Sequence, residues 1–311
     1  MTLVIKTVNL TKRYGSLVAL SNLNLEVEEG DCFGFIGPNG AGKSTTMKIL
    51  ATLLQPTWGE ARVCDFVVGY QSRQIRPLIG YVPDYFGAYE DMVVREYLEF
   101  FAAAYNIHGT ARNKVVDDVL QLTDLSYKHD SPVDGLSRGM KQRLSIARTL
   151  LHDPKLLLLD EPAGNLDPRA RIELRELLKT LRTIGKTILI SSHILPELQD
   201  MCNKVGIIEQ GELKYAGPWT DIVRKARTGK IINVGVAHNA TSAAALLAQD
   251  AAVVSAVVKE HFIEVTLHEV ADDFSFLAAK LIAGGYKLTL FREEEVNLET
   301  AFMRLTKGMV Q

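Results

Sequence analysis

The chain has 311 residues, of which 47% are hydrophobic and 23% are charged, and its formal net charge is −2. This composition is typical of globular proteins and excludes a collagen-like repeat, a coiled-coil rod or a disordered chain. The length predicts two domains, or one large domain with an appendage. The near-neutral charge argues against sequence-independent binding of DNA or RNA, because such binding needs excess positive charge.

Cysteine usage and hydropathy favour a reduced, cytosolic chain that does not cross the membrane. Cys32, Cys64 and Cys202 are far apart and form no C-x-x-C pair, so neither a zinc site nor a disulfide framework is expected. The first residues lack a basic region followed by a long apolar stretch, so no signal peptide is expected. The longest charge-free stretch, 231–249, contains several polar residues and is too polar to span a bilayer.

The first half of the chain begins with strand patterns and continues with helical ones. Alternating polar and apolar residues predict strands within 3–36. A helix is predicted from Ser44 to about Leu54, where Pro56 stops it. Apolar residues spaced by three and four predict a mostly helical segment over 94–152.

The second half begins with four consecutive leucines, 156–159. Their lack of alternation predicts a strand that is buried on both faces, as in a parallel sheet. The elements predicted next are helix 168–183 and strands 187–191, 204–209 and 213–216. This alternation of strands and helices predicts an α/β core with three layers.

The character of the sequence changes near residue 220, which predicts domains at 1–220 and 221–311, with a helical subdomain at about 85–152. The second domain is predicted to be a small ferredoxin-like α+β domain. Its predicted elements are strand 231–236, helix 241–249, strands 253–259 and 262–268, helix 271–284, strand 286–291 and helix 297–306.

One loop matches the phosphate-binding pattern G-x-x-x-x-G-K-[ST] in full, between a predicted strand and a predicted helix. Its glycines let backbone N–H groups face one point, and the helix N-terminus adds its positive dipole. Lys43 is expected to reach the β- and γ-phosphates of a nucleotide, and Ser44 to bind Mg²⁺. The candidate nucleotide-contacting residues are Gly37, Pro38, Asn39, Gly40, Ala41, Gly42, Lys43, Ser44 and Thr45.

Four further motifs follow in a fixed order. They are LSRGMKQR at 136–143, DEP at 160–162, GNLD at 164–167 and SSH at 191–193. In this order and spacing the chain resembles, over residues 3–220, the ATP-binding subunit of an ABC transporter. The resemblance implies an α/β P-loop ABC-type ATPase core that binds ATP and Mg²⁺ and hydrolyses ATP to ADP and phosphate.

The resemblance also implies roles for single residues. Asp160 would hold Mg²⁺, Glu161 would act as general base on the attacking water, and His193 would hold the γ-phosphate and the water. Tyr14 matches the aromatic residue that stacks on adenine, and Val18 is a further nucleotide contact. The alternatives are a solvated strand-end acid for Glu161, a structural histidine for His193 and a strand-edge tyrosine for Tyr14.

Three residues are implied to act between two copies of the chain. Ser137 can cap a helix whose N-terminus binds an anion, which in the family is the γ-phosphate on a second subunit. Gly139 belongs to the same motif, LSRGMKQR at 136–143, which is the signature of the family. The resemblance implies that the Asp167 loop also lies at the interface between the two subunits. Two subunits would thus enclose two ATP molecules head to tail. Arg138 and Met140 replace the usual Gly and Gln of the signature, and only modest effects are expected.

Asp84 is a second departure, because the family has glutamine at this position. Aspartate offers a carboxylate but no hydrogen-bond donor, and Mg²⁺ accepts carboxylates readily. Asp84 is therefore a candidate catalytic residue and metal ligand. The expected result is a working ATPase with altered metal dependence.

The implied partner is a membrane permease on a separate chain, with this chain cytoplasmic and peripheral on the inner face of the cell membrane. Tyr85, Phe86 and Tyr89 lie where the family binds a short helix of the permease, although packing within the chain is an equal alternative. Residues 296–306 resemble the tail of bacterial exporter ATPases, which implies export of an unknown substrate. Packing on the small sheet is the alternative explanation of their amphipathic spacing.

Two other functions are less favoured by the sequence. ABC proteins that act on ribosomes or DNA usually carry two ATP cores or a long coiled-coil insertion, and this chain shows neither. A weakly hydrolysing regulatory module is suggested only by Asp84, and the presence of Lys43, Glu161 and His193 argues against it.

Overall fold

The chain forms two compact units that meet in sequence at Trp219 and Thr220. The computed structural model describes residues 2–85, 87, 91–164, 166–226, 230–260, 262–268 and 273–293. The helix predicted at 297–306 and the aromatic residues Phe86 and Tyr89 lie outside the described residues.

The first unit contains two sheets and the helices that pack on them. Its strands are β1 (Leu3–Tyr14), β2 (Leu17–Leu23), β3 (Glu26–Glu28), β4 (Cys32–Ile36), β5 (Trp58–Val63), β6 (Phe66–Val67), β7 (Ile79–Val82), β8 (Leu156–Leu159), β9 (Thr187–Ser192), β10 (Lys204–Glu209) and β11 (Glu212–Pro218). Its helices are α1 (Lys43–Leu50), α2 (Ser72–Ile75), α3 (Val94–Ala104), α4 (Gly109–Leu122), α5 (Arg138–Leu150), α6 (Pro168–Thr183) and α7 (Leu195–Gln199).

The larger sheet has the strand order β11-β10-β4-β9-β8-β7. All its neighbouring strands are parallel except β10 and β11, which form an antiparallel pair. The four leucines of β8 are completely buried, because helices and the second sheet cover the parallel strands on both faces. The predicted α/β core is confirmed.

The smaller sheet is antiparallel and joins β1 to β2, β3 and β5, with β6 on the edge. The main hydrophobic core includes Met47, Ile49 and Leu50 of α1, and it draws on strands of both sheets, such as Ile5 and Phe35. Each such buried side chain contributes about 1.5–3 kcal/mol. This burial holds α1, and the loop before it, at the end of β4.

Helix α1 ends at Leu50, four residues before the predicted end. Thr52 adopts a left-handed conformation with a φ of 62°. The amides of Leu53 and Leu54 both donate to the carbonyl of Lys48, at 2.8 and 3.1 Å. This hydrogen-bonded turn ends the helix before Pro56 is reached.

The second unit contains β12 (Ile231–Val236), α9 (Ala240–Ala248), β13 (Val253–Val258), β14 (Ile263–Leu267), α10 (Ser275–Ala283) and β15 (Leu288–Glu293), after α8 (Trp219–Ala226) at the boundary. The strands are antiparallel in the order β13-β14-β12-β15, which is the ferredoxin-like order. Alternate residues of β12 and β14, such as Ile232 and Val265, form a core with Leu247 and Leu277 of the two helices. Among the described residues, no helix is long and apolar enough to cross a membrane.

Candidate active site

The loop 37–44 leaves the buried end of β4 and enters α1, and its conformation depends on glycine. Gly42 has a φ of 108°, and a Cβ there would lie 2.7 Å from the carbonyl oxygen of Ala19 in β2. A Cβ on Gly37 would lie 2.2 Å from the carbonyl oxygen of Ile208 in β10. Backbone contact from two strands therefore fixes the loop at the N-terminus of α1, where unpaired N–H groups favour an anion.

The loop forms one wall of a cleft of about 350 Å³. The lining residues are Tyr14, Leu17, Ala19, residues 39–45, Asp84 and Glu161. The structure thus brings the phosphate-binding loop, the candidate adenine-stacking residue and two candidate catalytic carboxylates to one site. Leu17 and Ala19 were not among the predicted residues, because a short apolar pair on a strand carries no motif.

Lys43 is the buried cation of this cleft, with 6% of its side chain exposed. Its ammonium donates to the carbonyl oxygens of Gly37 and Pro38, at 2.7 and 3.1 Å. It also lies 3.3 Å from Oε1 of Glu161. The charge is held at the loop by its own backbone, in position to meet an anion.

Asp160 follows β8 and is almost fully buried. Its Oδ1 accepts hydrogen bonds from Ser44 Oγ at 3.1 Å and from Ser191 Oγ at 2.7 Å. Ser191 belongs to the SSH motif, but no role was predicted for it. It fixes the Asp160 carboxylate beside the first turn of α1.

Glu161 lies one residue further on and has a left-handed backbone, with a φ of 48°. Its amide donates to Ser191 Oγ at 2.9 Å. Its Oε1 faces Lys43, and its Oε2 lies 2.9 Å from Nδ1 of His193. The carboxylate is therefore held between the cation of the loop and the histidine that follows β9.

Asp84 adds a third carboxylate to this end of the cleft. The pKa of its carboxyl is raised, first by partial loss of solvation and then by the negative charges of Asp160 and Glu161, while His193 acts in the opposite direction. Burial, together with Asp160 and Asp84, raises the pKa of Tyr81 to about 12. The negative charges of Asp84, Asp160 and Glu161 therefore interact at this end of the cleft.

Tyr14 ends β1, and 45% of the residue is exposed. The ammonium of Lys12 lies 5.2 Å from its ring centroid and donates to the carbonyl of Gln55 at 2.9 Å. An exposed ring at the cleft can stack on a flat base. Val18 pairs with Arg13 in the ladder of β1 and β2 and is not among the lining residues.

The signature residues lie outside the cleft of their own chain. Ser137 caps α5 by accepting from the amide of Met140 at 3.2 Å, and Asp167 caps α6 by accepting from the amide of Ala170 at 2.9 Å. A Cβ on Gly139 would lie 2.6 Å from the Cβ of Ala170. The N-termini of α5 and α6 therefore pack against each other, so Ser137, Gly139 and Asp167 lie in one region of the chain.

Comparison with known proteins decides the family. The family model described as ABC transporter matches residues 20–164. The bacitracin transport ATP-binding protein BcrA of Bacillus licheniformis is 40% identical over 228 residues, which are 73% of this chain and 74% of that protein. The chain belongs to the ABC transporter family. As one of its ATP-binding cassettes it binds and hydrolyses ATP, which confirms the predicted activity.

The cassette has further relatives. The linearmycin resistance ATP-binding protein LnrL of Bacillus subtilis (strain 168) is 30% identical over 310 residues, or 96% of each chain. A Nod factor export ATP-binding protein I of Burkholderia orbicola (strain AU 1054) is 40% identical over 203 residues, or 65% of this chain and 67% of that one.

Solved structures agree with this assignment. An ATP-binding subunit of an ABC transporter is 29% identical, has a TM-score of 0.64 and covers 71% of this chain and 92% of its own. A dimeric ATP-binding cassette in a post-hydrolysis state with ADP and phosphate is 28% identical, has a TM-score of 0.62 and covers 69% of this chain and 98% of its own.

Proposed function

We propose that the cassette is the ATP-hydrolysing subunit of an exporter and drives a membrane permease on a separate chain, at the inner face of the cell membrane. The position of Glu161 between Lys43 and His193 carries the catalytic part of this proposal. The names of the relatives, which refer to bacitracin transport, linearmycin resistance and Nod factor export, support the transport part.

In the proposed reaction, the loop amides and Lys43 bind the β- and γ-phosphates. The γ-phosphate competes with Glu161 for the Lys43 ammonium, because both are anions. This competition frees the Glu161 carboxylate to accept a proton from the attacking water. His193, which contacts the same carboxylate, holds the water and the γ-phosphate.

Ser44 and Asp160 would hold Mg²⁺. Their oxygen atoms lie 3.1 Å apart, and a hydroxyl with a carboxylate is a donor set that Mg²⁺ accepts. Asp84 lines the same cleft and is proposed as an additional ligand. The bound ion would neutralise charge on the phosphates.

A second copy of the cassette is proposed to complete each site. Ser137, Gly139 and Asp167 are not among the residues that line the cleft, although the family resemblance assigns them to the nucleotide. A head-to-tail pair would bring the α5 N-terminus of one copy to the γ-phosphate on the other.

Replacement of Asp84 by glutamine is expected to raise the Mg²⁺ concentration for half-maximal ATPase rate by about 3- to 10-fold, equivalent to ~1 kcal/mol. A neutral amide binds Mg²⁺ less strongly than a carboxylate does. Phosphate release would be measured across a MgCl₂ titration. Asp130→Asn, at an exposed acid of the helical subdomain, is the control, and superimposable titrations for Asp84→Gln and the parent would contradict the assignment.

Replacement of Tyr14 by alanine is expected to weaken ATP binding by about 5- to 100-fold, because base stacking contributes ~1–3 kcal/mol. A fluorescent ATP analogue would report the Kd. Tyr14→Trp keeps a stacking surface and should retain affinity. Tyr70→Ala removes a residue that is 90% exposed and should have no effect, so equal losses for Tyr14→Ala and Tyr70→Ala would exclude stacking.

The transport part is tested by affinity purification from native membranes, with Glu161→Gln and ATP as bait. A hydrolysis-blocked pair is expected to retain its membrane complex. Recovery of one multi-spanning protein supports the proposal and identifies the permease. Recovery of ribosomes or nucleic acid instead would favour a soluble ABC function and overturn the exporter assignment.

A further inference from the structure

Glu197 is connected to the residues on both sides of His193 through the hydroxyl of Ser192. Glu197 lies in α7, four residues after His193, and 10% of its side chain is exposed. Its Oε2 accepts from Ser192 Oγ at 3.3 Å. Ser192 Oγ in turn accepts from the amide of Ile194 at 3.0 Å. The hydrogen bonds thus run from Glu197 to the residues on each side of His193.

The other oxygen of Glu197 faces α6, the helix that Asp167 caps. Arg171 Nε lies 3.4 Å from Glu197 Oε1, a charge contact without hydrogen-bond alignment. Burial raises the pKa of the Glu197 carboxyl, and Arg171 and Ser192 act against that rise. The carboxylate is therefore a costly buried group with two specific partners, one in α6 and one before His193.

We propose that Glu197 is a positioning residue for His193, and that its contact with Arg171 ties the His193 loop to α6. This proposal rests on the proposed role of His193 at the γ-phosphate. His193 itself is half exposed, with 46% of its side chain accessible. Its ring is therefore positioned by the contact with Glu161 Oε2 at 2.9 Å and by the backbone at 192–194, rather than by burial.

The expected consequence is a loss in turnover and not in binding. A displacement of a catalytic group by about 1 Å can cost ~10²-fold in rate. Glu197 is not among the residues that line the cleft, so ATP affinity should stay nearly constant. We expect Glu197→Ala to lower kcat about 10-fold with KM for ATP changed less than ~2-fold.

A matched control exists on the same two helices. Asp200, which ends α7, accepts from Arg175 Nη1 of α6 at 2.6 Å. This pair also joins α6 to α7, but it lies one helical turn further from His193. Asp200→Ala is therefore expected to leave kcat within ~2-fold of the parent, and thermal unfolding of each variant reports any loss of folding.

Two milder variants keep the test decisive if Glu197→Ala unfolds. Glu197→Gln can still accept from Ser192 and should retain most of kcat, whereas Ser192→Ala should resemble Glu197→Ala. Combining Glu197→Ala with His193→Ala should add no loss to that of His193→Ala alone, because both act through one group.

The proposal is overturned if Glu197→Ala and Asp200→Ala lower kcat equally, or if KM rises in proportion to the loss of kcat. His193→Ala distinguishes failure of the proposed role of His193 from failure of the positioning role of Glu197. If His193→Ala turns over normally, the proposed role of His193 fails. If His193→Ala is inactive while Glu197→Ala and Ser192→Ala are fully active, only the positioning role fails.

Discussion

Replacement of Glu161 by glutamine is expected to lower ATP turnover by at least about 100-fold, because general base catalysis contributes ~10²–10⁴ in rate. Glutamine keeps the size of the side chain but cannot accept the proton of the attacking water. Binding of ATP should be retained or strengthened, since the Lys43 ammonium no longer contacts a competing carboxylate. Phosphate release and nucleotide affinity would be measured on the same preparation.

The control for this variant is Glu176→Gln, at an exposed position of α6, which should turn over normally. A loss of turnover of less than about tenfold in Glu161→Gln would be smaller than the usual contribution of a general base. Glu161 would then be a strand-end acid that only neutralises Lys43.

Replacement of Lys43 by methionine is expected to weaken ATP binding by about 10- to 100-fold, because hydrogen bonds to charged groups contribute ~1.5–3 kcal/mol. The variant also removes the donor that holds the carbonyl oxygens of Gly37 and Pro38. Isothermal titration with ATP and with ADP would measure the effect, and the loss should be larger for ATP because Lys43 is assigned to the β- and γ-phosphates.

Lys48→Met is the matched control, since Lys48 lies on the exposed face of the same helix and outside the cleft. Its ATP affinity should equal that of the parent. If Lys43→Met bound ATP as tightly as Lys48→Met, the loop would not be the phosphate site.

The predicted part of the site comes from residues whose role follows from local sequence. The loop 37–44 carries its own conformational requirements in Gly40 and Gly42, both of which have positive φ. The leucines of β8 place Asp160 at the end of a buried parallel strand, because four apolar residues in succession need both faces covered. The sequence signals for these features are local, although backbone contacts from Ala19 and Ile208 also fix the loop in the folded chain.

The features that the sequence did not predict depend on long-range pairing. Ser191 reaches Asp160 across 31 positions of sequence, and it does so because β8 and β9 pair with Leu159 opposite Ile190. Strands β5 and β7 were also not predicted, since glycine and charged residues interrupt their apolar patterns. Register and sheet neighbours, rather than composition, decide such contacts.

For Ser137, Gly139 and Asp167, the sequence predicts the local structure but not the ligand. The sequence predicted a helix cap at Ser137, and the hydrogen bond to Met140 is present. A cap that is satisfied within its own chain does not reveal which anion approaches it. The assignment of these residues to ATP therefore depends on a second copy of the cassette.

The central claim, that two cassettes close over ATP to form the hydrolytic site, is tested most directly by the mass of Glu161→Gln in solution. Light scattering with ATP and Mg²⁺ should give twice the monomer mass of 34.4 kDa, and with ADP the monomer mass. A Ser137→Phe change in the same background should restore the monomer with ATP. A monomer that holds ATP in Glu161→Gln itself would contradict the account.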